Sequence, residues 1–112
     1  MMDETVLVVT TNDVPGYEIV KTYGEVFGVL VRSRNVFSGI GASLKSIVGG
    51  EIGAYTKLLT DSRTEAVERM RQIASEKGAN AVLAMRFDTD SIGGNMNEVA
   101  AYGTAVKLKP KN

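Results

Sequence analysis

The chain has 112 residues, 44% of them hydrophobic and 23% charged, which suits one domain (1–112) that buries roughly two-thirds of its unfolded surface. Thirteen basic residues balance thirteen acidic ones without a basic block, so the charge gives no footprint for nucleic acid or an anionic membrane. Cysteine and histidine are absent, which excludes disulfides, thiolate and imidazole catalysis and the usual zinc sites.

Met1-Met2-Asp3-Glu4 is acidic where a secretory leader is basic, and no apolar run approaches a membrane span; the expected location is the cytoplasm. Val6-Leu7-Val8-Val9 predicts a short first strand, closed by the turn signal Asn12-Asp13-Val14-Pro15-Gly16. From Tyr17 to Ser33 the β-branched and aromatic content predicts one long, bent strand. Simple alternation puts Tyr17, Ile19, Tyr23, Phe27, Val29 and Val31 on one face and Val20, Val26 and Leu30 on the other. Gly24 and Gly28 fall on the second face, where glycine suits a bulge or a close backbone contact.

Asn35 to Tyr55 holds five of the chain's 12 glycines inside helix-like apolar spacing. Glycine weakens a helix interior by roughly 1 kcal/mol relative to alanine, so this density answers a geometric demand, either a ligand or another backbone. Gly39 to Lys45-Ser46 has the spacing of a phosphate loop, but Leu44 stands where the second glycine of that pattern is needed. Gly49-Gly50-Glu51 is the better candidate: bare N–H groups at a helix start can hold an anion, while Glu51 can equally be a first-turn residue answering the helix dipole.

Beyond it, Ile52, Tyr55, Leu59, Ala66, Met70, Ile73 and Ala74 recur as a helical stripe, interrupted at Asp61-Ser62 by a cap or polar patch and closed by Lys77-Gly78. Glu65 and Arg69 stand at i,i+4. Ala79 to Asp90 returns to period two, with Ala81, Leu83, Met85 and Phe87 as the expected core face. The loop Ser91 to Asn97 joins it in a hairpin to a last strand, Glu98 to Lys109. The order β-β-α-β-β predicts a two-layer α+β domain, an antiparallel sheet covered on one face by helix. Because Tyr17–Ser33 is apolar on both faces, the uncovered face predicts a homo-oligomer.

Other candidate sites are sparse. Asp88 and Asp90, with Asn95 and Asn97 across the loop, offer oxygens for a hard cation or a solvated strand end. Arg32, Arg34 and Arg63 offer a cationic cluster if the fold gathers them, or surface charge and intersubunit ion pairs. The four tyrosines lack interleaved basic residues and read as core or interface aromatics.

Ile47-Val48-Gly49-Gly50-Glu51, Tyr55-Thr56-Lys57-Leu58-Leu59, Arg63, Ala66, Gly78-Ala79-Asn80-Ala81-Val82 and Tyr102-Gly103-Thr104-Ala105-Val106 together resemble the YbjQ-like family of uncharacterised bacterial and archaeal proteins, over about Thr10 to Lys109. The resemblance implies a small α+β fold assembled as rings of five and carries the label heavy-metal-binding. Against that label, a chain without thiols or imidazoles offers only five methionines as soft donors, of which symmetry could bring Met96 copies together; no cofactor is expected, with a metal ion as the open alternative. The sequence therefore predicts a non-catalytic homo-oligomer, with Gly24, Gly28, Asn35, Gly49, Gly50, Glu51, Tyr55 and Arg63 as ligand or interface residues. Substitution of Gly49 or Gly28 by valine is expected to break the oligomer first. The alternative is a metal-ion or small-anion binding protein with Glu51, Tyr55 and Asn35 in a cleft between subunits. An enzyme would need a carboxylate or lysine with a displaced pKa in a cleft, which sequence does not show.

Overall fold

A computed structural model of the chain describes residues 6–33, 53–92 and 96–112, with Ala54 and Tyr55 as backbone only. In chain order these form strand β1 (Leu7–Val8), strand β2 (Tyr17–Ser33), helix α1 (Gly53–Glu76), strand β3 (Ala81–Ile92) and strand β4 (Met96–Pro110). The strands make one sheet in the order β1-β3-β4-β2, with α1 against one face, so the α+β arrangement of strand-strand-helix-strand-strand holds. Two details differ from expectation. The sheet is mixed rather than antiparallel, because β1 runs parallel to β3 with Leu7 opposite Ala81 and Val8 opposite Val82. A long strand and a helix separate these two in sequence, so no tight hairpin dictates their relative direction. The β3–β4 hairpin also zips further than predicted, to the Ile92–Met96 pair, since continued cross-strand pairing satisfies backbone groups a loop would leave to water.

The 17 residues of β2 pair antiparallel with β4 from Tyr17 opposite Pro110 to Ser33 opposite Met96. The pairing is not uniform. Register slips between Ile19 and Lys21, and again between Thr22 and Gly24, so two residues of β2 face one of β4 at each place. Gly24 takes φ +102° there, in open space, a backbone state glycine reaches without steric cost. A third slip lies between Leu83 and Arg86 of β3, where Ala84 has φ +55°.

Each bulge exchanges the faces of the residues beyond it. Tyr23, expected beside Phe27, instead packs into the helix-side core, where its hydroxyl donates to the Gly78 carbonyl at 3.3 Å. In β3, Met85 and Phe87 do pack toward the helix with Val82, but Ala81 and Leu83 do not. They join Val106 and Leu108 in a second cluster on the opposite face, covered by Val9 and Val14 of the segment after β1. That segment is pinned to the β3 bulge: the Ala84 N–H donates to the Thr11 carbonyl (2.8 Å) and the Met85 N–H to the Val9 carbonyl (3.0 Å).

Helix α1 has 24 residues and runs without a break through Asp61-Ser62. Its innermost seam is Ser62, Ala66, Met70 and Ala74, all wholly buried, whereas Leu59 and Ile73 of the predicted stripe are largely exposed. Met70 is the largest fully buried side chain, worth about 1.5–3 kcal/mol of apolar burial. Buried Ser62 accepts a hydrogen bond from Arg32 Nε at 3.0 Å. The helix ends in a Schellman motif: the Ala79 N–H reaches the Ala74 carbonyl, the Gly78 N–H that of Ser75, and Gly78 has φ +96°.

Candidate functional site

Asn35, Gly49, Gly50, Glu51 and the Tyr55 side chain lie outside the described residues, as do Gly39–Ser46, Arg34 and Asn95. The remaining candidates separate. Gly24 is the β2 bulge. Gly28 lies on the helix side, pressed on the backbone of α1 at Ala66 and Met70; its close neighbour is therefore the chain's own helix. Arg32 does not meet Arg63: it is half-buried on the β2 side of α1, bonded to Ser62 and 3.6 Å from Glu65. Glu65 is shared with Arg69 (2.6 Å, the anticipated i,i+4 pair), and Arg69 Nη1 also donates to the Val29 carbonyl at 2.7 Å.

Asp88 and Asp90 are exposed on β3, opposite Ala100 and Glu98 respectively, and Asn97 pairs with Ser91 and so belongs to the other face of the hairpin. Among the described residues no group of three or more His, Cys, Asp or Glu is placed to hold a metal ion.

Arg63 faces the β3 side of α1. The helix packs mainly on β2 and β4, so an open groove runs between it and the outer half of β3. One stretch, about 440 Å³, is lined by Thr60, Arg63, Thr64, Val67, Arg71 and Phe87, with Glu68 at its side. The adjoining stretch, about 530 Å³, also begins at Arg63 and runs past Leu59, Thr89, Asn97 and Val99, with Asp90 and Glu98 at its rim. The Arg63 guanidinium lies over the Phe87 ring, 5.2 Å from its centroid, and takes part in none of the ion pairs formed among the described residues. Arg71 pairs through Nη1 with Glu68 Oε2 at 3.0 Å, while its buried Nε–H meets no acceptor among the described residues. Arg71 and Phe87 escaped sequence reasoning as site residues. The signal was there in Arg63-Val67-Arg71, which at spacings of four share one helix face.

The opposite face of the sheet carries the other notable feature. Register puts Phe27 with Tyr102, Val29 with Ala100 and Ser33 with Met96, itself paired to Ile92, on the face away from α1. Phe27 and Tyr102 stack with ring centroids 5.8 Å apart, yet Phe27 is 49% exposed and Val31 46%. The cover given by Val9 and Val14 stops short of this field. No helix among the described residues is long and apolar enough to cross a membrane.

Comparison with known proteins gives a consistent result. The sequence profile of the YbjQ family, described as "Putative heavy-metal-binding", matches residues 6–109. The UPF0145 protein YjfJ of Lactococcus lactis is 55% identical over 106 residues, covering 95% of this chain and 97% of the relative. A UPF0145 protein of Lactobacillus johnsonii is 59% identical over 109 residues (96% and 98% covered), and one of Methanocella arvoryzae 53% over 110 (98% and 92%). Among solved structures, a protein of unknown function from Pediococcus pentosaceus superposes with a TM-score of 0.61 at 13% identity over 93% of this chain and 98% of that one, a likeness of fold. On the extent of the profile match and on relatives more than half identical along nearly their whole length, the chain belongs to the YbjQ (UPF0145) family.

Proposed function

We propose that this protein works as a self-assembled ring, its copies packed through the face of the sheet that α1 leaves uncovered. The observation that carries this is the row of Phe27, Val29 and Val31 on β2 with Tyr102 beside Phe27 and the Ile92–Met96 pair at the hairpin end, each more than a third exposed, on a face where register also sets Glu98 opposite Val31 and Asp90 opposite Glu98. A field of this size and composition is what a partner surface covers. A second copy is the occupant, because two edge stretches face no further strand of the sheet among the described residues: β2 over 17–32, and β3 over 86–90, beyond the pairing with the β1 segment. Open edges invite pairing or must be protected, and two unlike edges on opposite sides favour a head-to-tail contact that closes as a ring. Five copies is the number that the family resemblance implies. The role is structural or binding rather than catalytic.

The heavy-metal description of the family does not fit this chain. It has no cysteine or histidine, Met70 is core, Met85 is half-buried against the core, Met96 is exposed at the hairpin end with no second soft donor shown beside it, and no acidic cluster stands in their place among the described residues.

Light scattering behind size exclusion at micromolar concentration tests the assembly. A ring of five 12.0 kDa chains gives about 60 kDa, and Val29→Lys, on the exposed face, shifts the mass to 12.0 kDa with the fold intact. A monomeric wild type, or a Val29→Lys protein that stays fully assembled, overturns the proposal.

A further inference from the structure

We infer that the groove between α1 and the outer half of β3 is a binding site for a small organic anion, a carboxylate or phosphate with an apolar body, held by Arg63 and Arg71. The site lies on the helix face, away from the proposed assembly face, so neither proposal depends on the other.

Arg71 supplies the first argument. A guanidinium recognises carboxylate or phosphate through two parallel N–H donors, and arginine keeps its charge under all conditions. Glu68 engages Arg71 at Nη1 alone, and the Nε–H is buried without an acceptor among the described residues. Buried donors are nearly always satisfied, so one left over on a side chain that lines the groove calls for an acceptor oxygen. The second argument is Arg63, two turns earlier on the same helix face. Its Cα lies about 12 Å from that of Arg71 at 1.5 Å rise per residue, a span two long side chains close around one anion. It sits over Phe87 and is committed to no carboxylate among the described residues.

The third argument is the lining. Thr60 and Thr64 add hydroxyls on the same helix, Val67 and Phe87 form an apolar floor, and the stretch of about 440 Å³ is of ligand size. Glu68 is the one carboxylate lining this stretch and is already paired with Arg71, so the two arginines leave a net positive charge within it, while Asp90 and Glu98 belong to the adjoining stretch beyond Arg63.

The test uses the full chain with three probes at matched ionic strength: inorganic phosphate, phenyl phosphate and benzoate, each against chloride. Titration calorimetry reads affinity and the nitrogen-15 spectrum reads the Arg71 Nε–H directly. Phenyl phosphate or benzoate is expected to shift that resonance saturably, and the stronger of the two tells whether the natural ligand is a phosphate or a carboxylate. Arg63→Ala and Arg71→Lys, the second keeping the charge facing Glu68 but losing the Nε donor, are each expected to weaken binding by about tenfold or more, with melting temperatures in chloride unchanged. An Arg71 Nε–H that responds to none of the probes beyond chloride, or variants that bind like the wild type, would overturn the inference.

Discussion

Gly28→Ala measures how closely the helix lies on the sheet. A Cβ built at Gly28 overlaps the Ala66 carbonyl oxygen and the Met70 amide nitrogen, and stands 3.0 Å from Met70 Cα. All three are backbone atoms, so no side-chain rotation relieves the clash; α1 must lift or β2 must bend. Lifting loosens the seam where Ala66 and Met70 meet Val26 and Leu30, all buried. Overpacking against side chains costs typically 1–3 kcal/mol, and rigid backbone puts this case at about 3 kcal/mol. Removing glycine's freedom from the unfolded chain returns about 0.5–1 kcal/mol, leaving a net loss of about 2–2.5 kcal/mol. At about 4 °C per kcal/mol for a chain of this size, the melting temperature falls by about 8–10 °C. Urea unfolding at matched protein concentration checks it, read from the midpoint at constant slope. Gly24→Ala is the control. It meets nothing within 4 Å, and its cost of about 1–2 kcal/mol comes from φ +102° alone. A Gly28→Ala protein within about 0.5 kcal/mol of wild type would refute the close approach. So would one that dissociates while its protomer keeps full stability, because that outcome places the contact between subunits, as the sequence had led one to expect.

Three further substitutions probe the features that shape the fold. Ala84→Gly releases a left-handed alanine and is expected to be neutral or up to about 1 kcal/mol more stable, whereas Ala84→Val, β-branched at φ +55°, loses about 1–3 kcal/mol; paired thermal melts decide. Ser62→Ala strips the acceptor from Arg32 Nε in a wholly buried setting and is expected to cost about 1–2 kcal/mol by urea titration. Glu65→Gln, by contrast, loosens a surface network with Arg69 and Arg32 that is about half exposed. A loss under about 1 kcal/mol, shrinking further in molar salt, is the expected result.

Much of the architecture was legible because it follows from local chemistry. The bounds of β2 follow from its β-branched and aromatic run, and the end of α1 from Lys77-Gly78, whose glycine takes the left-handed cap. The helix seam was less legible. Periodicity selected Leu59 and Ile73 because they are large and apolar, but the surface pressed on the sheet is Ser62-Ala66-Met70-Ala74. Small residues win at a seam whose opposing strand carries Gly28, since close approach there excludes bulk. Arg63 could be named from sequence as a cation, and its place on one helix face with Arg71 could be read from their spacing; its meeting with Phe87 needed the helix to lie off β3, a tertiary fact no local pattern encodes.

The faces of the strands were misread for one reason, and it bears on function. A period-two pattern assumes unbroken pairing, and the slips at Tyr23 and Ala84 break it. The Ala84 bulge turns Ala81 and Leu83 to the face away from α1 while leaving Met85 and Phe87 toward it. Gly103 makes the bulge possible, since a Cβ there would stand 2.6 Å from Val82 Cγ1 and 2.8 Å from the Leu83 carbonyl oxygen. One irregularity thus divides the far side of the sheet in two. The half before the bulge is sealed by Val9 and Val14 of the same chain. The half beyond it keeps Phe27, Val29, Val31 and Tyr102 in the open, and leaves β3 over 86–90 without a further neighbouring strand among the described residues. Straightening β3 would carry Met85 and Phe87 out of the helix-side core and take the floor from the arginine groove. The proposed assembly face and the proposed anion site, on opposite sides of the sheet, therefore share one structural cause in the bulge at Ala84.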